Sequence, residues 1–312
     1  MTGATGMADL DGIDGVDGDR PWRGVVAALV TPFGADLRVD FDRLQEHVRW
    51  LAAEGCDGFA VAGPLGEYQT LTDRERSDVL RAVVQAAPAD RSVLAGVSGY
   101  GSHQSAYWAE QAARAGAHAV LALPPTGYQA RPAEVVAHYR EIAAAGLPVV
   151  AYNDPGETVI DLTPELLATV AEIDGLAAVQ EASGDVRRLH RIRMLCPHVD
   201  VLAGVDDLVR ELVVFGAAGW IGGLPNALPR QAACLYRRFA DGDAHGATAL
   251  YAALYPLLSW DSRPESVQAL KCTMEVAGRY GGPCRPPRVP LPTVDATRLR
   301  RDVERALAAA GH

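Results

Sequence analysis

Two short polar stretches of the sequence carry side chains that could take part in chemistry. "YNDPGET" begins at Tyr152, whose phenol can exchange a proton as a general acid or base. "AAVQEASGD" holds Gln180, whose amide can donate a hydrogen bond to a carbonyl or hydroxyl oxygen but is not a nucleophile. Asp154 and Glu157 follow Tyr152. As solvated loop acids they would have no special role, whereas acids that face a pocket would make it tolerant of cations.

These side chains need a scaffold, and the sequence predicts one that repeats. From Gly24 onward, eight apolar runs alternate with eight amphipathic segments. The runs are continuous rather than alternating, as expected for parallel strands that are covered on both faces. Eight such units within about 220 residues predict a (β/α)8 barrel. A doubly wound open sheet is the alternative, but it rarely has so many regular units. The runs are "VVAALV", "GFAVAG", "SVLAGV", "AVLALP", "PVVAYN", "LAAVQEAS", "VDVLAG" and "AGWIGG".

Helix starts and the chain ends complete the predicted organisation. Thr72 and Glu75 form a capping box, and Thr163 is an N-cap followed by Pro164 at the first helical position. We predict a flexible acidic tail over residues 1–23, the barrel over 24–243, and a helical C-terminal region over 244–312. "GGPCRPPRVPLP" interrupts this last region.

Composition limits the classes of partner. The chain has 312 residues, of which 49% are hydrophobic and 22% charged, and its formal net charge is −10. This charge argues against nucleic acid or an anionic membrane surface as a partner. No apolar run approaches the roughly 18 residues of a membrane span, and the first residues lack the features of a signal peptide. The five cysteines form no C-x-x-C pair, so we expect no metal, cofactor or disulfide framework, and a reducing cytoplasm fits.

Several segments in this order resemble the dihydrodipicolinate synthase / N-acetylneuraminate lyase family, from about Gly24 to Pro292. No single segment is specific, but the order and the spacing on a barrel favour the family. The matching segments are "LVTPF" at Leu29–Phe33, "G-x-x-GE" at Gly63–Glu67, "YN-x-P" at Tyr152–Pro155, "EASGD" at Glu181–Asp185, "AG-x-DD" at Ala203–Asp207, Asn226 in "GGLPN", and "RPP" at Arg285–Pro287.

The resemblance implies a class I aldolase-type site in which a lysine on strand six forms a Schiff base with a 2-oxo acid. That position aligns with Gln180, while Tyr152 matches the family's proton-shuttling tyrosine. The single lysine of the chain, Lys271, lies in a C-terminal helix. There we interpret it as a solvated or ion-paired residue. Schiff-base catalysis is therefore not expected.

Other positions also depart from the family. Pro64 and Leu65 replace a threonine pair, and Thr126 and Gly127 replace paired tyrosines, with Tyr128 one step later. An arginine that often follows "YN-x-P" is absent. We interpret Glu67 as a structural loop residue, and the helix macrodipole accounts for Asp206 and Asp207. With barrel sites formed at the carboxyl ends of strands, the candidate catalytic residues are Tyr152 and Gln180, and the candidate binding residues are Gly63, Pro64, Leu65, Thr126, Tyr128, Asp154, Glu157, Gly204, Gly222 and Asn226.

Three functions stay open. The first is a lyase-family enzyme that works on a small molecule without an imine. The second is a catalytically silent relative that binds a ligand or regulates. The third is a lysine-to-glutamine variant of an active 2-oxo-acid aldolase or dehydratase other than the lysine-biosynthetic enzyme. The resemblance also implies a homo-oligomer, either a dimer or a tetramer.

Overall fold

The computed structural model describes residues 20–310, and these form a closed barrel of eight parallel strands in the order β1 to β8. Each strand pairs with the next, and β1 closes the ring by pairing with β8. The predicted (β/α)8 fold is confirmed. The strands are β1 (Gly24–Ala28), β2 (Gly58–Val61), β3 (Ser92–Gly96), β4 (Ala119–Ala122), β5 (Val149–Asn153), β6 (Leu176–Glu181), β7 (Asp200–Ala203) and β8 (Gly219–Gly222).

Eight helices follow the strands in turn and cover the outside of the barrel. The capping box at Thr72 and Glu75 is confirmed, as is the N-cap at Thr163, whose side chain accepts a hydrogen bond from the Leu166 N–H. The helices are α1 (Phe41–Ala53), α2 (Asp73–Ala86), α3 (Ser102–Ala115), α4 (Pro132–Ala143), α5 (Pro164–Val170), α6 (Arg187–Leu195), α7 (Val209–Val214) and α8 (Pro229–Ala240).

Three more helices form the C-terminal region: α9 (Ala244–Leu258), α10 (Ser266–Val276) and α11 (Thr293–Ala310). The Pro-rich segment connects α10 to α11. The α9–α10 connection reaches the carboxyl ends of the strands, where Asp261 accepts a hydrogen bond from the backbone N–H of Asp206. The C-terminal region therefore contributes to the same end of the barrel as the strand-end loops. No helix among residues 20–310 is long and apolar enough to cross a bilayer.

Small and medium apolar side chains fill the barrel interior. Trp22 is buried beneath them and donates a hydrogen bond from Nε1 to Asp200 at the start of β7. The expected tail over residues 1–23 lies mostly outside the described residues, but Trp22 packs into the barrel floor. The interior cluster consists of Trp22, Val26, Ala60, Leu94, Ala119, Leu121, Val150, Ala178, Leu202 and Ile221.

Side chains two residues apart on a strand point to the same face. Val150 on β5 and Ala178 on β6 face the interior, so Tyr152 and Gln180 face inward as well, one layer closer to the carboxyl ends. The strand alternation thus places both residues at the mouth of the barrel.

Candidate functional site

A cavity of about 710 Å³ opens at the carboxyl ends of the strands. Its floor is formed by strand residues, and its walls are formed by the loops after β1, β2, β5, β6, β7 and β8. The α9–α10 connection and the Pro-rich segment add further walls. The predicted residues that line it are Gly63, Pro64, Leu65, Tyr152, Asp154, Glu157, Gln180, Gly204 and Gly222.

Tyr152 and Gln180 are direct neighbours across the β5–β6 pairing. Gln180 is only 4% exposed, and its Nε2 donates a long hydrogen bond of 3.4 Å to the backbone oxygen of Ile221 on β8. Its Oε1 is buried and has no hydrogen-bond partner. A buried acceptor without a partner is costly. The amide oxygen is therefore ready to accept a hydrogen bond from a bound molecule.

Because Gly204 has no side chain, it leaves space for the side chain of Gln180. A Cβ atom at this position would lie 2.7 Å from Gln180 Cγ and 2.9 Å from the backbone oxygen of Glu181. Both distances are shorter than any ordinary contact, so a side chain here would displace Gln180 or the strand. Gly204 therefore allows the close approach between β6 and the segment after β7.

Tyr152 donates a hydrogen bond of 3.3 Å from its hydroxyl to Asp154 Oδ2. Burial raises the pKa of Tyr152 well above its usual value of 10, and the nearby Glu157 and Asp154 carboxylates raise it further. The phenol is therefore neutral at physiological pH.

Asp154 and Glu157 both lie on the cavity wall in the loop after β5. Asp154 Oδ1 accepts hydrogen bonds from the backbone N–H groups of Gly156 and Glu157, which fixes the loop. Glu157 lies at the exposed rim of the cavity. Loss of surrounding water raises the pKa of Glu157 to about 7, with a further contribution from Asp154, while Arg288 acts in the opposite direction.

Asp206 has a structural role that the helix-start explanation did not include. It is buried and accepts hydrogen bonds from Trp220 Nε1 (2.9 Å) and from the backbone N–H groups of Gly223 (3.2 Å) and Leu224 (2.8 Å). Burial raises its pKa to about 6. A Cβ on Gly222 would lie 2.1 Å from Asp206 Oδ1, so the glycine is required by this contact. Asp206 therefore fixes the loop after β8.

The α9–α10 connection supplies cavity residues that sequence reasoning missed. Asp261 accepts a 2.9 Å hydrogen bond from the Asp206 backbone N–H, and burial together with the Asp206 carboxylate raises its pKa well above the usual range. Asp207 also lines the cavity and accepts a hydrogen bond from Ser262. The polar "DSRPES" between two apolar helices was the available signal, but it is not a strand end. The cavity residues from this connection and the start of α10 are Asp261, Ser262, Arg263, Pro264, Ser266 and Val267.

Two guanidinium groups also line the cavity, and both have other contacts. Arg263 lies over the Trp260 ring, 4.3 Å from its centre. Arg288 Nη1 lies 3.9 Å from Glu67 Oε2. Among the described residues, the cavity lining thus contains four carboxylates, from Asp154, Glu157, Asp207 and Asp261, against two guanidinium groups. No group of three or more His, Cys, Asp or Glu residues in the described chain has the arrangement of a metal site.

The sequence profile of the Dihydrodipicolinate synthetase family matches residues 21–306. The chain belongs to this family.

Individual relatives and solved structures of the family match this chain over most of its length. A 4-hydroxy-tetrahydrodipicolinate synthase of Acidothermus cellulolyticus is 34% identical over 294 residues, which covers 93% of each chain. The crystal structure of the dihydrodipicolinate synthase of Cyanidioschyzon merolae with lysine bound has a TM-score of 0.84 at 28% identity, covering 91% of this chain and 98% of that one. A prophage protein of the family from E. coli K12, solved in complex with pyruvate, has a TM-score of 0.84 at 25% identity over the same shares.

Three predicted residues of this dihydrodipicolinate synthetase family member are not among the cavity-lining residues. Thr126 and Tyr128 lie in the loop after β4, where Tyr128 is 51% exposed. Asn226 is buried, and its Nδ2 donates hydrogen bonds to the backbone oxygens of Ala28 and Gly223. Its Oδ1 accepts from the Val30 N–H and lies 3.1 Å from His47 Nε2. Asn226 thus joins the loops after β1 and β8.

Lys271 is ion-paired rather than solvated. It is 2% exposed, and its Nζ donates to Glu67 Oε1 (2.7 Å) and to the backbone oxygens of Thr31 (3.0 Å) and Pro283 (2.9 Å). Glu67 is fully buried in a left-handed backbone conformation and also accepts a hydrogen bond from the Arg285 N–H. Glu67 is structural as expected, but its carboxylate binds the C-terminal region rather than the backbone of its own loop.

Proposed function

We propose that this member of the dihydrodipicolinate synthetase family binds a small, 2-oxo-acid-like molecule in the barrel-mouth cavity without forming a Schiff base. The observation that carries the proposal is Gln180. It occupies the inner face of β6 directly before "EASGD", where the family resemblance places the imine-forming lysine. A conjugated amide nitrogen cannot attack a ketone, whereas a desolvated lysine amine can.

Lys271 is a poor substitute for the missing amine. Its Nζ has three hydrogen-bond acceptors within 3.0 Å, one of them the Glu67 carboxylate. These acceptors engage the N–H groups of the ammonium, so the nitrogen is not free to approach a ketone. Lys271 is also not among the residues that line the barrel-mouth cavity. These contacts support the absence of an alternative imine site.

The remaining polar groups suit hydrogen bonding and proton transfer. Tyr152 supplies a neutral hydroxyl beside Gln180, and Glu157, with its pKa near 7, exchanges a proton close to neutral pH. The pyruvate complex of the E. coli K12 relative supports an oxo acid as the ligand type. An enzyme of this kind would polarise a carbonyl or hydroxyl oxygen by hydrogen bonds alone.

Catalytic silence is the second candidate, and the loop after β2 favours it. Pro64 and Leu65 form a short 3-10 turn on the cavity wall, where they offer no hydroxyl for proton relay. A silent relative would keep the cavity as a ligand-binding or regulatory site. The third candidate, a variant of an active aldolase or dehydratase, is favoured by the intact residues around Gln180.

The Gln180→Lys variant tests these candidates together. Each protein is incubated with pyruvate and other 2-oxo acids, reduced with borohydride, and weighed by mass spectrometry. We expect no adduct on the unaltered chain. An adduct and turnover by Gln180→Lys would favour the third candidate, whereas an inert variant would favour silence. Gln180→Met, which is similar in length but unreactive, is the matched control. An adduct on the unaltered chain would refute the proposal.

We further propose that the chain forms a homo-oligomer, as the family resemblance implies. Large aromatic side chains are exposed on the neighbouring β3–α3 and β4–α4 segments: Tyr100 is 83% exposed, Tyr107 47% and Tyr128 51%. Aromatic residues are enriched in protein interfaces. Sedimentation velocity tests this assembly, and a monomer at micromolar concentration would contradict it.

A further inference from the structure

The Gln180 amide oxygen needs a hydrogen-bond donor that the protein does not provide. Gln180 lines the barrel-mouth cavity and is 4% exposed, and its Oε1 is without a partner. The Gln180 Nε2 group donates to the Ile221 carbonyl, so Oε1 of the same amide points away from that carbonyl. A carboxylate or a ketone oxygen cannot satisfy this acceptor, because both are acceptors themselves. A ligand with an N–H or O–H group can.

The charges that line the cavity favour a cationic donor over a neutral one. Asp154, Glu157, Asp207 and Asp261 present carboxyl groups to the cavity. The two lining guanidinium groups are engaged by Trp260 and Glu67. Asp154 lies on the same cavity as Glu157 and Asp261 and acts on both electrostatically, while Arg288 offsets part of the negative charge at Glu157. A bound cation would offset more of the negative charge of the lining carboxyl groups.

We propose that the barrel-mouth cavity selects a ligand with a protonated amino group, whose ammonium donates to Gln180 Oε1 in the cavity that the carboxyl groups of Asp154, Glu157 and Asp261 also line. This inference rests on the proposed function in that it uses the same cavity, and it adds that the oxo-acid-like ligand carries an amino group. The Tyr152 hydroxyl, held by Asp154, lies beside the ammonium site.

A matched series of four-carbon probes tests the charge preference. 1,4-Diaminobutane, 1,4-butanediol and succinate have similar length but carry positive, zero and negative charge. We expect the diamine to raise the melting temperature and to bind in isothermal titration calorimetry, with affinity that falls as salt screens the charges. The diol and succinate should bind at least about tenfold more weakly.

Variants locate the ammonium in the cavity. Within the described residues, the Glu157 carboxylate accepts no hydrogen bond from the protein, so Glu157→Gln should fold normally. We expect Glu157→Gln and Asp154→Asn each to weaken diamine binding about tenfold, and Gln180→Met to weaken it by a similar factor. Glu141→Gln is the control, because Glu141 is exposed on α4 and is not among the cavity residues. It removes one charge without touching the cavity and should bind as the unaltered chain does.

Three outcomes would overturn the inference: equal or tighter binding of the diol or succinate, no binding of the diamine, or diamine binding that Glu157→Gln leaves unchanged. Pyruvate is measured alongside the series. Stabilisation by pyruvate and not by the diamine would overturn this inference alone, whereas a reducible pyruvyl adduct would overturn the proposed function instead.

Discussion

Gln180 and the acids around it set the chemistry of the cavity at the scale of single residues. The amide of Gln180 is buried, its Nε2 has a hydrogen-bond partner and its Oε1 has none. Its neighbour on β5 is Tyr152, whose hydroxyl is neutral. Loss of surrounding water is the main cause of the raised pKa of Glu157 and of Asp261, and the Asp154 carboxylate contributes to both.

Glu157 gives a pH-dependent prediction. Its pKa is about 7 in the folded chain against an ordinary value of 4.5. The folded state therefore holds a proton that the unfolded state has lost between these values. The free energy of unfolding must then fall as pH rises through this window. We expect Glu157→Gln to be more stable than the unaltered chain at about pH 8, by a margin that shrinks toward about pH 5.

Urea denaturation at the two pH values measures this margin. The groups that act on Glu157, which are Asp154 and Arg288, are present in both proteins. Glu141→Gln controls for the loss of one negative charge. A margin that is constant with pH, or one that grows toward acid pH, would contradict the raised pKa.

The elements position these residues through close contacts between neighbouring strands. Gly204, just after β7, packs against Gln180 and the Glu181 carbonyl on β6. The structure leaves no space for a methyl group there. The position of the Gln180 side chain thus depends on contacts with Gly204 and with Ile221 of β8.

We predict that Gly204→Ala lowers the free energy of unfolding by about 1–3 kcal/mol, because the methyl group overpacks the β6–β7 contact. It should also displace Gln180 and weaken ligand binding. Gly63→Ala is the matched control for stability, because a Cβ at Gly63 would have no atom within 4 Å. Chemical denaturation of the two variants makes the comparison, and equal stability of both would refute the close contact.

The elements themselves could largely be predicted from the sequence. Continuous apolar runs such as "PVVAYN" could be assigned to covered parallel strands, and the cap residues Thr72 and Thr163 marked helix starts. The hydrogen-bond partners of single polar residues could not be predicted in this way. Asp206 resembles an ordinary helix-start acid in sequence, yet it binds Trp220 and two backbone N–H groups of the β8 loop. Such contacts depend on how the barrel closes, which local sequence does not encode.

At the scale of the whole molecule, the barrel and the C-terminal helices share one buried ion pair. Lys271 of α10 and Glu67 of the β2–α2 loop are separated by 204 residues in sequence and by 2.7 Å in space. Arg285 adds contacts from the Pro-rich segment to Glu67 and Glu75. The same long-range packing brings Asp261 into the cavity. Neither feature could be predicted from helix or strand patterns, because both join segments far apart in the chain.

Lys271→Met tests this connection. Removing one partner leaves Glu67 as a buried carboxylate without its ammonium, and breaking a buried pair costs about 3–5 kcal/mol. We expect a loss of unfolding free energy in this range. Arg74→Met is the control, because the Arg74 side chain is 92% exposed and its loss should cost less than about 0.5 kcal/mol. A similar small loss for Lys271→Met would show that the pair does not hold the two regions together.

The central claim, that this family member binds its ligand without forming an imine, is tested most directly on the unaltered 312-residue chain. The protein is incubated with pyruvate, reduced with borohydride and weighed intact, with a family member that carries the strand-six lysine as positive control. We predict an unchanged mass for this chain and a pyruvyl adduct on the control. A single adduct that peptide mapping places on Lys271, or on any residue of the barrel, would contradict the account.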